Sequence, residues 1–226
     1  MDLQFSMKIC TLQDNLKEGE ETLLTYKICY PCFQGSQYGL SLGSLNRLYR
    51  QEALQYENTL RTDMWKQALS QYEFDLANGY PVTEYQALQT LCLTMQAECI
   101  LSLYLERYEF TGGAHGNTIR CSQTWNLQGN RRLTLRELFP EGFDYRSYLF
   151  EEILCQIRRD PSIYFDDYKN LVVSTFDEES FYCTRSGVVI YYQQYDIAPY
   201  ASGIREFCIP YSACLCHPTQ SCFYMN

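Results

Sequence analysis

His115 is the residue best suited to acid–base chemistry in this chain, because an imidazole titrates near neutrality. It lies in Thr111-Gly112-Gly113-Ala114-His115-Gly116-Asn117. Gly112, Gly113 and Gly116 in so short a span ask for backbone angles that residues with a Cβ avoid, or for close approach of another segment. Two roles compete for the histidine. As a general base it would need a carboxylate to orient it, with Glu109, Asp144 and Asp196 as candidates. As a structural residue it would pin the glycine loop through hydrogen bonds to backbone, and the glycines favour this role. A zinc hydrolase commonly needs two placed histidines and a carboxylate. The only other histidine is His217, near the C-terminus. HExxH, GxSxG and P-loop patterns are absent. His115 is therefore the one weak catalytic candidate, and no cofactor is expected.

The thiols offer a second chemistry. Cys214-Leu215-Cys216-His217 with Cys222 has the residue types of a zinc site. The spacing fits no common finger, and one short loop would have to supply every ligand. Cys29-Tyr30-Pro31-Cys32 has the CxxC spacing, but it closes a strand rather than opening a helix, so no thiolate is favoured there. The chain has 12 cysteines, an even number that fits a disulfide set if the protein is exported. Cys92, Cys99 and Cys208 lie in apolar strand-like runs and read as small hydrophobes. In a chain without a leader the expectation is reduced, mostly buried thiols.

Recognition is the third possibility. There are 21 tyrosines, and tyrosine offers large area, a polar tip and little rotamer cost. Tyr195, Pro199 and Tyr200 fall on a loop between strands and are the candidate ligand- or partner-binding residues. The net charge of −9 and pI of about 4.8, with no Lys/Arg cluster, exclude a nucleic-acid partner and disfavour an anionic membrane. A basic partner would be attracted. No segment approaches the ~20 apolar residues of a spanning helix. The first ten residues lack a basic start and an apolar run, so the expected location is cytoplasmic, or extracytoplasmic if a leader was removed. No oligomeric state is assigned.

The elements that must position these residues follow from periodicity. Thr22, Leu24, Tyr26, Ile28 and Tyr30 alternate, and Pro31 should break that strand. Ser44 looks like the cap of a long helix carrying Leu45, Leu48, Tyr49, Ala53, Tyr56, Leu60, Met64 and Ala68, with Asn78-Gly79 as its stop. Two strands follow between Tyr85 and Phe110, turning near Gln96-Ala97-Glu98. A third, Thr118 to Leu127, completes an antiparallel meander. Asp144 should cap a helix carrying Tyr145, Leu149, Ile153 and Ile157. A hairpin spans 181–192 around Arg185-Ser186-Gly187, the last strand runs from Ile204 to Ile209, and Pro210 opens a short final helix.

Several of these landmarks line up. Glu109-Phe110-Thr111-Gly112-Gly113-Ala114-His115-Gly116-Asn117, Leu133-Thr134-Leu135 leading to Leu138-Phe139, Gly187-Val188-Val189-Ile190-Tyr191-Tyr192, Tyr195-Asp196-Ile197-Ala198-Pro199-Tyr200-Ala201-Ser202-Gly203 and Ile209-Pro210 together resemble the RsiV-type domain of unknown function. Tyr30-Pro31 followed by Asn46 early in a helix resembles the companion domain that often precedes it. The resemblance implies an α+β fold of antiparallel sheets with packed helices, in two small halves. Relatives form the outer part of a lysozyme-sensing anti-sigma factor, accompany catalytic domains of peptidoglycan deacetylases, or stand alone. The expected organisation is a companion domain over 1–118, the RsiV-type domain over 119–212 and a cysteine-rich tail over 213–226. The expected function is a non-catalytic binding or sensor module for a protein, cationic and lysozyme-like, or for a cell-wall-related ligand. The alternatives are a small hydrolase centred on His115 and a metal-stabilised structural protein.

Overall fold

The computed structural model describes residues 5–223; residues 1–4 and 224–226, which include the last three of the expected cysteine-rich tail, lie outside the described residues. The fold is α+β. Strands β1 (Ser6–Glu18), β2 (Glu21–Gln34), β3 (Tyr85–Ala97), β4 (Ile100–Phe110), β5 (Asn117–Asn126) and β6 (Arg131–Arg132) form one sheet in that order. Strands β7 (Phe181–Cys183), β8 (Gly187–Tyr192) and β9 (Arg205–Pro210) form a second. No helix among the described residues is long and apolar enough to cross a membrane. The chain divides into two compact units. One runs to Leu91 and adds Leu105–Ile119; the other holds Cys92–Tyr104 and everything from Arg120 on.

In the first unit, β1 and β2 pair antiparallel, while β2 and β3 pair in parallel, Leu24 with Tyr85 through Ile28 with Gln89. This pair departs from the antiparallel pairing expected of the sheets; it lies outside the meander expected over 85–127, whose strands β3, β4 and β5 are neighbours in that order. A long helical crossover separates β2 from β3 and returns the chain to the end at which β2 began. Nor does Pro31 break β2: it pairs with Ile9, and the strand continues to Gln34. Pairing to β3 stops at Ile28, so Pro31 lies beyond it, where a missing N–H is tolerated. Asn46 then serves the strand end. Its side-chain carbonyl accepts the Phe33 N–H at 2.7 Å and its amide donates to the Phe33 carbonyl at 2.9 Å.

The crossover is α1 (Gly39–Thr59), a π turn (Leu60–Met64) and α2 (Trp65–Asn78). It starts five residues before the expected cap: Tyr38, in left-handed backbone, precedes Gly39, and Ser44 sits inside the helix, donating to the Leu40 carbonyl. Gly79, left-handed at φ 67°, ends it as expected. Tyr56, Leu60, Met64 and Ala68 lie four apart. On an ideal helix of 3.6 residues per turn, three such steps rotate a stripe by about 120°. The wider π turn takes up that drift, and all four residues are buried.

In the second unit, β8 pairs antiparallel with both β7 and β9. Helix α3 (Tyr145–Ile157) is capped by Asp144, which accepts the Ser147 N–H, and it buries Leu149, Ile153 and Ile157. A short helix α4 (Tyr168–Ser174) follows. Strand β7 is an edge of its sheet, and side chains complete its backbone. Ser102 Oγ accepts the Cys183 N–H at 2.9 Å, Thr94 donates to the Cys183 carbonyl, and Ser122 to that of Phe181. Pro210 ends β9 instead of opening a helix. The final helical turn lies at Pro218–Cys222.

Candidate functional site

The glycine-rich loop owes its shape to both effects that glycine permits. Gly112 and Gly113 take φ of 92° and 88°. Gly116 is buried, and a Cβ there would lie 2.5 Å from the Glu109 carbonyl oxygen and from the Tyr108 ring. His115 is exposed, and its Nδ1 lies 3.0 Å from the Gly116 carbonyl oxygen. Each carboxylate that could orient it has another task. Glu109 accepts from the Tyr56 hydroxyl at 2.7 Å, Asp144 caps α3, and Asp196 accepts the Gln193 N–H at 2.7 Å.

The segment 195–203 presents aromatic surface on a fixed base. Tyr195 stands in left-handed backbone at φ 69° and is 53% exposed. Pro199 is exposed and Tyr200 half-buried, with the Tyr195 and Tyr200 ring centroids 5.9 Å apart. Between them Ile197 and Ala198 are buried, and the Ile197 carbonyl accepts the Phe165 N–H. Ser202 Oγ donates to the Ile163 carbonyl at 2.9 Å, and Gly203 leaves the loop at φ 64°. Burial pushes the Asp196 carboxyl above the usual carboxylate range, against the pull of the Gln193 N–H. The loop's root is tied to β5 by Gln193, whose amide accepts the Arg120 N–H at 3.0 Å and donates to the Arg120 carbonyl at 2.7 Å.

Arg120 is the residue that sequence reasoning missed. Its side chain is 8% exposed, ion-paired with Glu206. The guanidinium lies 4.1 Å from the Tyr104 ring centroid, 5.3 Å from that of Tyr191 and 5.9 Å from that of Tyr182. The Tyr182 hydroxyl donates to Glu206 as well, and burial raises its pKa. Within this unit β5 turns a polar set inward: Arg120, Ser122, Thr124 and Asn126 are all buried, while Cys121 between them is exposed. Strict alternation of polar residues ordinarily marks a solvent face, so the signal pointed the wrong way.

The cysteines depart from expectation. Cys10 is bonded to Cys32 and Cys99 to Cys222. Of the other eight only Cys183 is buried, while Cys92, Cys121, Cys155 and Cys208 are exposed. Cys29 and Cys32 cannot pair, because an offset of three along β2 puts them on opposite faces. Cys222 is lost to the proposed zinc set through its disulfide. His217 Nδ1 accepts from the Thr219 hydroxyl at 2.7 Å, and burial lowers its pKa. Cys214 and Cys216 are half-buried thiols. Among the described residues no group of three or more His, Cys, Asp or Glu could hold a metal ion.

Known proteins resemble both parts of the chain. Residues 17–118 match the family described as Deacetylase PdaC, and residues 136–212 match DUF3298, a protein family of unknown function. No curated protein matches. A DUF3298 family member from Bacteroides fragilis NCTC 9343 is 21% identical, with a TM-score of 0.69 over 97% of this chain and 96% of that one. A DUF3298 family protein from Pseudomonas aeruginosa PAO1 is 17% identical, with a TM-score of 0.59 over 93% and 92%. At these identities the likeness is one of fold. The chain is thus similar, on a shared fold, to an uncharacterised domain family, DUF3298, preceded by a PdaC-like region.

Proposed function

We propose that this protein is a non-catalytic binding or sensor module of the RsiV type that recognises its ligand through residues 195–203. Tyr195 carries the reading. A residue with a Cβ in left-handed backbone costs roughly 1–2 kcal/mol, and such strain persists only where the surroundings hold it. Here the surroundings are anchored at Gln193, Ile197 and Ser202. What the strained segment displays is a pair of neighbouring phenol rings at the surface. Rigid, amphipathic rings suit recognition.

The charge of −9 favours a cationic, lysozyme-like protein as partner. The disulfides favour an oxidising, extracytoplasmic setting. Titration with a cationic lysozyme by calorimetry tests both loop and partner. The expected result is saturable binding that weakens with salt, and that Tyr195→Ala and Tyr200→Ala each weaken about tenfold, the loss of ~1.4 kcal/mol of contact. No saturable binding at low salt removes the cationic partner, and binding indifferent to both substitutions removes the loop.

A further inference from the structure

The first unit carries an open groove of about 660 Å³ along α2. Its wall is one helical stripe, Asp63, Lys66, Gln67, Ser70, Gln71 and Phe74, recurring at three and four residues. A polar stripe on a helix ordinarily does no more than face water. Three observations separate this one from that case. First, no hydrogen bond or ion pair to a described residue engages Lys66, Gln67 or Ser70, whereas Gln71 donates a side-chain N–H to the buried Asp75 carboxylate at 2.8 Å. Second, Tyr85 of β3 lines the groove while 5% exposed, and among the described residues its hydroxyl has no hydrogen-bond partner. The hydroxyl oxygen itself reaches solvent, so it is open to a ligand in the groove. Third, Phe74 is 55% exposed and lies beside Tyr80, itself 57% exposed, with centroids 6.0 Å apart.

We propose that this groove binds a neutral oligosaccharide. A pyranose ring has an apolar C–H face and a rim of hydroxyls that both donate and accept. Phe74 offers a flat apolar surface for the face. The rim meets groups of both kinds: Gln67 and Ser70 donate and accept, Lys66 donates, and Asp63 accepts. The single positive and single negative charge in the stripe cancel, which suits an uncharged ligand better than an ion. Burial and the neighbouring Asp75 raise the Tyr85 pKa, so its hydroxyl stays protonated and donates. The site lies in a different unit from residues 195–203 and stands independently of the function proposed for them.

The test titrates the full chain with cellotetraose, maltotetraose and chitotetraose, followed by calorimetry and amide chemical-shift mapping. At least one should bind with a Kd between about 10 μM and 1 mM, the range open to a shallow site. Phe74→Ala should weaken that binding about tenfold or more. Tyr85→Phe removes one oxygen and leaves the ring in place, and should weaken it about fivefold. Tyr195→Ala, in the other unit, should leave it unchanged. No binding of any of the three at about 10 mM overturns the proposal. So does binding that either groove substitution leaves at the wild-type affinity, or that Tyr195→Ala weakens.

Discussion

At the scale of single residues, Arg120 is a position on which the second unit should depend. A buried guanidinium is tolerable only while its charge and its donors are met, and removing one member of such a set strands the rest. The tyrosines at 104, 182 and 191 and the carboxylate of Glu206 meet it together. The two sides of the ion pair are unequal, since Glu206 is 42% exposed and Arg120 8%. Solvent screens the carboxylate, so its own contribution is that of a surface pair. Arg120→Ala should therefore destabilise by about 3 kcal/mol, and Glu206→Gln by under about 1 kcal/mol. Urea denaturation of both variants measures the difference. Equal losses would mean that the carboxylate, rather than the rings, keeps the cation in place. The arginine was illegible in the sequence because its neighbours at 122, 124 and 126 are polar too. A strand that buries hydroxyls and an amide against a second sheet looks, by periodicity, like one that shows them to water.

At the scale of elements, each unit completes a strand with a side-chain amide instead of another strand. Asn46 does so for Phe33 in the first unit, and Gln193 for Arg120 in the second. A side-chain amide carries a carbonyl acceptor and, on the same side, one of its two N–H donors, so it can satisfy both backbone atoms at once. Losing it leaves an N–H and a carbonyl unmet, at roughly 1 kcal/mol each. Asn46→Ala is expected to lower stability by about 2 kcal/mol, and Asn46→Asp, which keeps the acceptor alone, by about half that. A loss below ~0.5 kcal/mol for the alanine variant would show that water replaces the amide freely. The long crossover helix, the helix after Asp144, the hairpin and the stop at Gly79 were legible, because burial of one face imposes a period and glycine answers a positive φ. The parallel pairing of β2 with β3 was not. It depends on where the crossover lands, and no local pattern in either strand records that.

At the scale of the whole molecule, the cysteines decide which setting the fold suits. A chain read as holding reduced, buried thiols instead has one disulfide in each unit and four exposed thiols. Spacing along the chain gave no hint of the pairs, which are 22 and 123 residues apart, because strand register and the return of the tail bring them together. The wider loop should matter more. Closing ~100 residues removes about 4.7 kcal/mol of unfolded-chain entropy, against ~3 kcal/mol for a short loop. Cys222→Ser is therefore expected to cost more stability than Cys32→Ser. Alkylation resolves the thiols directly. Denatured without reductant, eight of the 12 cysteines should react, since four are paired. In the native protein Cys92, Cys121, Cys155 and Cys208 should react first. Cys183 should not, because burial pushes its thiol up to about 12 and keeps reagent out. Twelve reactive thiols in unreduced protein would break both pairings and return the molecule to a reducing compartment. Eight would confirm two pairings, which the oxidising setting proposed above requires.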